Sequence, residues 1–67
     1  MKIAINNLYG IKDGHKAYYR KQGIYCFDFV NNIEYASELT QDEVDRIMKS
    51  ADWYCKQYNA SDMEVIG

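Results

Sequence analysis

The fold is decided by residues 39–60, LTQDEVDRIMKSADWYCKQYNA, which carry the most regular pattern in the sequence. Thr40 and Glu43 have the spacing of a capping box, in which each side chain bonds the other residue's free backbone N–H. Leu39 and Val44 occupy the positions of the hydrophobic staple that accompanies such a helix start. Apolar residues then recur at helical spacing: Val44, Ile47, Met48, Ala51, Cys55 and Tyr58. The stretch therefore predicts one amphipathic helix that ends at Asn59 or Ala60.

Strand patterns lie on both sides of this helix. Alternation around Ile3 and Ile5 predicts a first strand. Residues 15–21 and 24–30 predict two more strands, preceded by a tight turn at Asp13-Gly14. Residues 33–38 fit a short helical turn or a packed loop, and residues 63–66 predict a last strand beside the first or the third.

The element order β-β-β-α-β predicts an α+β fold, in which one amphipathic helix packs on one face of a small, mostly antiparallel sheet. The 67 residues suffice for a single domain, residues 1–67. No stretch approaches the roughly 20 apolar residues of a membrane span. Cys26 and Cys55 follow no secretory signal, which favours a reducing cytoplasm and two free, buried thiols.

Residues suited to catalysis are scarce. His15 is the only histidine and adjoins the predicted turn, where a solvated surface residue is the usual finding. The sequence contains no CxxC, HExxH or other metal-ligand spacing, and no glycine-rich phosphate loop. We therefore expect a protein that is not an enzyme and that uses neither a metal nor a cofactor.

Trp53 is the most informative single residue. It lies about 180° from Val44 on the helix, among polar neighbours. Tryptophan leads the residues that carry binding energy at interfaces, so Trp53 is a candidate partner-binding anchor. The alternative is that the chain itself covers the ring.

Charge is distributed unevenly, although the net charge is only −2. Residues 28–45 contain six acids and no basic residue, which fits a surface that engages a basic groove. Two of the acids, Asp42 and Glu43, are explained by the helix start. The candidate partner-binding charges are therefore Asp28, Glu34, Glu38 and Asp45, with Tyr35 as a second aromatic anchor.

The predicted second strand mixes basic and aromatic side chains. Tyr18 shares one face with Lys16 and Arg20, and Lys21 follows. Such a strand is able to stack bases and neutralise phosphates, so these four residues form an alternative nucleic-acid-binding site. An ordinary edge strand, in which lysine prevents edge-to-edge pairing, explains the same pattern.

The chain combines an aromatic strand, residues 34–36 (EYA), the capped helix start at residues 39–44 (LTQDEV) and a terminal strand. This arrangement resembles small proteins encoded by bacteriophages and mobile elements, some of them anti-CRISPR proteins. The resemblance implies an inhibitor that blocks a host defence complex, a CRISPR effector, by occupying a surface in the host cytoplasm. Two rival hypotheses remain: a small nucleic-acid-binding regulator, and a structural module that forms a homodimer through Trp53.

Overall fold

A computed structural model describes residues 1–10, 15–23 and 26–67. Four strands are present: β1 (Lys2–Asn6), β2 (Lys16–Lys21), β3 (Phe27–Val30) and β4 (Asp62–Ile66). Two helices lie between β3 and β4: α1 (Gln41–Lys49) and α2 (Ala51–Tyr58). Short 3₁₀ turns follow β1 and β3, at Leu8–Gly10 and Ile33–Tyr35. The predicted small α+β fold is confirmed.

The four strands form one sheet in the order β3-β2-β1-β4, and every neighbouring pair is antiparallel. The terminal strand pairs with β1 along its whole length, from Lys2 opposite Ile66 to Asn6 opposite Asp62. Of the two places expected for this strand, the structure therefore selects the one beside the first strand. The predicted Asp13-Gly14 turn lies outside the described residues.

Alternation divides the sheet into two faces. The inner face, towards the helices, carries the apolar side chains: Ile3, Ile5, Ala17, Tyr19, Phe27, Phe29 and Met63. The outer face carries most of the polar ones: Lys2, Asn6, Lys16, Tyr18, Arg20, Asp28, Asp62 and Glu64. The division of β2 into an Ala17–Tyr19 side and a Lys16–Tyr18–Arg20 side follows its predicted alternation.

The core sits between the inner face and α1. Ile3 and Ile5 are completely buried, and Leu39, Val44 and Ile47 close over them. Beside this aliphatic centre, five rings form a contiguous group with neighbouring centroids 5.2–6.3 Å apart. This aromatic cluster consists of Tyr19, Phe27, Phe29, Tyr54 and Tyr58.

The single helix expected from residues 40–60 is two helices. Ser50 departs from helical geometry, with φ −102° and ψ 18°, and its N–H bonds the Ile47 carbonyl three residues back. Regular spacing resumes when the Tyr54 N–H bonds the Ser50 carbonyl. Serine is compatible with such a break because its helix propensity is lower than that of alanine or leucine. No residue is inserted, so the apolar spacing continues through the break and conceals it from sequence analysis.

The ends of the helical pair match the prediction. Thr40 and Glu43 form the complete capping box, and α2 ends before Asn59, which is left-handed at φ 50°. One expectation is wrong: Cys26 is exposed, because β3 begins only after it, whereas Cys55 is half-buried. Within the described part of the chain, no helix has the length and apolar character needed to cross a membrane.

Candidate functional site

Trp53 stands on the solvent face of α2 with 52% of its surface exposed. The prediction that it lies opposite the apolar stripe is confirmed, and within the described residues the chain leaves half of the ring uncovered. Burial of apolar surface stabilises a protein by roughly 25 cal/mol per Å². A half-exposed tryptophan, the largest of the apolar side chains, therefore forgoes much of this stabilisation. A tryptophan in this position is typical of a contact surface.

The aromatic cluster supports the Trp53 ring from one side. The indole meets the Tyr54 ring edge-on, with centroids 5.1 Å apart and planes at 83°. Tyr54 in turn packs against Tyr19 and Phe27. The indole is therefore exposed yet attached to the core, which lowers the entropy lost when a partner orders it.

Three cations lie within two helical turns of Trp53 in sequence, Arg46 and Lys49 on α1 and Lys56 on α2. Lys49 lies four residues before it, Lys56 three residues after it, and Arg46 one turn further back. All three are exposed, and none has a carboxylate within 4.0 Å among the described residues. The helix dipole favours cations in a last turn, which accounts for part of this placement. We call Arg46, Lys49, Trp53 and Lys56 the Trp53 patch.

The cations of β2, proposed from the sequence as an alternative nucleic-acid site, are paired with carboxylates, unlike the cations of the Trp53 patch within the described part of the chain. Arg20 donates from Nε to Asp28 Oδ1 at 2.9 Å and from Nη2 to Asp28 Oδ2 at 2.6 Å. Lys16 pairs with Glu64, and Lys21 pairs with Glu43. Each cation therefore faces a carboxylate of the same chain. Tyr18 lies half-buried between Lys16 and Arg20 on the outer face.

Two of these ion pairs also lower the pKa of the carboxylate that takes part in them. The Arg20 guanidinium lowers the pKa of Asp28, and a hydrogen bond from Gln22 adds to the effect. The Lys21 ammonium, followed by the Thr40 backbone N–H, lowers the pKa of Glu43 to about 2. Both carboxylates are therefore already engaged within the chain.

The remaining predicted acids do not form one group. Glu38 lies 3.4 Å from the N-terminal amine, and Asp45 accepts a 2.8 Å hydrogen bond from Gln41 on α1. Glu34 is exposed on the turn Ile33–Tyr35, whose first carbonyl accepts a hydrogen bond from the outer-face Lys2. Asp28 belongs to the outer face, whereas Asp45 belongs to the helical layer.

The two predicted aromatic anchors are likewise separated. Tyr35, 64% exposed, follows Glu34 on the turn near the outer face, whereas Trp53 lies on the helical layer. Tyr9, 66% exposed in a left-handed conformation, contacts Tyr58 at the far end of the aromatic cluster and was not expected from the sequence.

A groove that includes Arg46 of the Trp53 patch lies between the strands β2 and β3 and the two helices. Its volume is about 450 Å³, and its apolar lining comes from Tyr19, Phe27, Ile47 and Tyr54. Arg46 and the paired Lys21 and Glu43 supply its polar rim. Tyr54, which lines the groove, also contacts the exposed indole of Trp53.

The other chemistry-bearing side chains are scattered. No group of three His, Cys, Asp or Glu residues within ranges 1–10, 15–23 and 26–67 is arranged to hold a metal ion. Burial raises the pKa of the Cys55 thiol, which disfavours the reactive thiolate.

Sequence reasoning recognised Trp53 but missed the composition of the surface around it. Arg46, Lys49 and Lys56 are polar neighbours in any helical projection, yet their lack of a carboxylate partner is visible only in three dimensions. In comparisons with protein-family models, curated proteins and solved structures, nothing matches this chain.

Proposed function

We propose that this chain is a binding protein, without catalysis of its own, that blocks a host protein by covering one of its surfaces with the Trp53 patch. The observation that carries the proposal is the exposed indole, which is attached to the aromatic cluster through Tyr54. The resemblance to small phage-encoded inhibitors implies a CRISPR nuclease complex as the blocked protein.

The proposal keeps Trp53 as its anchor and gives less weight to the acids. Asp28 is occupied by Arg20 and Gln22, and Asp45 is bonded to Gln41, so neither is ready to enter a basic groove without breaking a contact. Glu34, Glu38 and Tyr35 constitute a second candidate surface near the outer face.

The neutralised cations of β2 argue against the nucleic-acid alternative. Nucleic acids bind to cations that are free to neutralise phosphates and so displace the counterions of the nucleic acid. Lys16, Arg20 and Lys21 instead each face a carboxylate of the same chain. The net charge of −2 adds long-range repulsion.

The functional test is a plaque assay in strains that each carry one active CRISPR system. Expression of the chain is expected to restore plaquing of a targeted phage in at least one strain, and Trp53→Ala is expected to remove that effect. Tyr35→Ala serves as the matched control, because it deletes another aromatic ring that is more than half exposed. Unchanged immunity in every strain would contradict the assignment to CRISPR systems.

The binding test separates the mode of action from the identity of the target. Tagged protein is used to capture partners from nuclease-treated lysate, and one identified partner is then purified for direct titration. Trp53→Ala is expected to weaken binding by about 30-fold or more, which corresponds to about 2 kcal/mol for an interface anchor. Full affinity in a folded Trp53→Ala variant would exclude the Trp53 patch as the contact.

A further inference from the structure

We infer that the Trp53 patch recognises an acidic polypeptide segment that carries at least one large apolar side chain. This inference rests on the proposed function and specifies the chemistry of the partner. It follows from the distribution of paired and unpaired charges over residues 1–10, 15–23 and 26–67, together with the groove that Tyr54 and Arg46 help to line.

The first step compares the cations that have a partner within the described residues with those that have none there. On the outer face and the strand edges, cations are matched by carboxylates or a carbonyl: Lys16 with Glu64, Arg20 with Asp28, Lys21 with Glu43, and Lys2 with the Ile33 carbonyl. Arg46, Lys49 and Lys56 lack such a partner among the described residues, and all three belong to the two helices, on which Trp53 also lies. Among the described residues, the cations without a partner are therefore those of the two helices, and Lys49 and Lys56 are one helical turn from Trp53 in sequence.

The second step is the apolar complement. The groove beside Arg46 is lined by Ile47, Tyr54 and Phe27, and the Tyr54 ring also contacts Trp53. A leucine-sized or aromatic side chain placed there would bury apolar surface on both molecules. Neighbouring carboxylates of the same segment would then lie within reach of Arg46, Lys49 and Lys56, which also steer its approach.

The third step distinguishes a polypeptide from a nucleic acid. Asp42, Asp45 and Asp52 are exposed on the same two helices, each four residues before one of the three cations. A duplex carries one negative charge per roughly 1.7 Å of its axis and cannot avoid these carboxylates. A polypeptide places its acids at discrete positions and is able to match a mixed pattern of this kind.

The test begins with a display library of random peptides, selected on the immobilised protein. Enriched peptides are expected to have a net negative charge and a large apolar residue. Synthetic copies are then titrated while the fluorescence of Trp53, the only tryptophan in the chain, is recorded. Enrichment of neutral or basic peptides, or no enrichment at all, would overturn the inference.

Two triple variants with the same change in net charge separate a local effect from a general one. Arg46→Gln, Lys49→Gln and Lys56→Gln together are expected to weaken peptide binding by about tenfold or more. Lys2→Gln, Lys16→Gln and Arg20→Gln together remove three cations from the outer face and are expected to change affinity by less than about twofold. Both proteins are checked for folding by circular dichroism, and equal losses in the two variants would refute the local effect.

Two further measurements test other occupants. Fluorescence titration with oligothymidine that saturates at low salt and weakens steeply with added salt would assign the patch to nucleic acid and overturn the inference. A concentration-dependent doubling of mass that Trp53→Ala abolishes would assign it to a second copy of the chain, with the same consequence. No response in either experiment, together with acidic peptide binding, supports the inference.

The inference and the proposed function fail separately. If the lysate partner depends on Trp53 but tolerates the Arg46, Lys49 and Lys56 substitutions, the function stands and the acidic-segment inference falls. If acidic peptides bind the patch but expression of the chain inhibits no host protein, the inference stands and the function falls.

Discussion

The Trp53 indole meets the Tyr54 ring edge-on at a centroid distance of 5.1 Å, and this contact links a half-exposed side chain to the aromatic cluster. Tyr54 touches Tyr19, Phe27 and Phe29 on its other side. The surface ring is thus connected, through Tyr54, to side chains on two strands of the sheet.

Tyr54→Leu is expected to increase the local motion of the indole without unfolding the protein, because leucine still fills apolar space but offers no ring for the edge contact. Time-resolved fluorescence anisotropy of Trp53 measures this motion. Tyr54→Phe keeps the ring and is the control, for which the anisotropy decay should remain that of the original chain. Identical decays in all three proteins would show that Tyr54 does not restrain Trp53.

Tyr19 is expected to make the protein sensitive to high pH. Burial, followed by the neighbouring Tyr54, raises the pKa of Tyr19 from 10.0 to about 12. A raised pKa in the folded state means that the neutral phenol is favoured by folding, so its contribution is complete below pH 10 and is lost as the pH rises towards 12.

Urea denaturation between pH 8 and pH 12 measures this dependence. The free energy of unfolding of the unaltered chain should fall more steeply above pH 10 than that of Tyr19→Phe, which has no proton to lose. Parallel pH curves for the two proteins would contradict the burial of this phenol.

The acid side of the stability curve depends on Glu43. Its pKa is lowered from 4.5 to about 2 by Lys21 first and then by the Thr40 backbone N–H. A lowered pKa means that folding favours the carboxylate, so this stabilisation is present above pH 4.5 and is lost as the pH falls towards 2. Glu43→Gln should therefore have a shallower loss of stability over that interval.

Lys21→Gln removes the first cause of the lowered Glu43 pKa while leaving the carboxylate in place. Its acid dependence is expected to be intermediate between those of the unaltered chain and Glu43→Gln. An acid profile of Lys21→Gln identical to that of the unaltered chain would mean that the Lys21–Glu43 pair is not formed in solution.

The helix start has a separate and simpler test. The Thr40 hydroxyl accepts a hydrogen bond from the Glu43 N–H at 3.2 Å, and Thr40→Ala removes it. The expected loss is about 1 kcal/mol in the free energy of unfolding, as at other N-caps. Thr40→Ser retains the hydroxyl and should lose much less, so an equal loss in both variants would argue against the cap.

The patterns that depend only on residues close together in sequence predicted the structure well. The capping box of Thr40 and Glu43, the alternation of β2 and the helix end at Asn59 all follow from local backbone chemistry. The helix break at Ser50 did not, because the apolar spacing passes through it unchanged. The exposure of Cys26 was missed for a related reason: the beginning of a strand is set by pairing and not by composition.

The candidate site depended on contacts between residues far apart in sequence. Trp53 was found because its helical face is readable from spacing alone. The pairing of Lys16 with Glu64, 48 residues away, and of Lys21 with Glu43, 22 residues away, requires the sheet order and the helix position. Without those pairs, the sequence gives no reason to separate the neutralised cations of β2 from those around Trp53.

The central claim is that the chain binds its partner through the Trp53 patch and not through the acidic, Tyr35-containing side. Isothermal titration of the purified partner with the unaltered chain, Trp53→Ala and Tyr35→Ala tests it most directly. The account predicts a loss of about 30-fold or more in affinity for Trp53→Ala, and a change of less than about threefold for Tyr35→Ala. Retained affinity in Trp53→Ala with a large loss in Tyr35→Ala would contradict it and place the contact near the outer face.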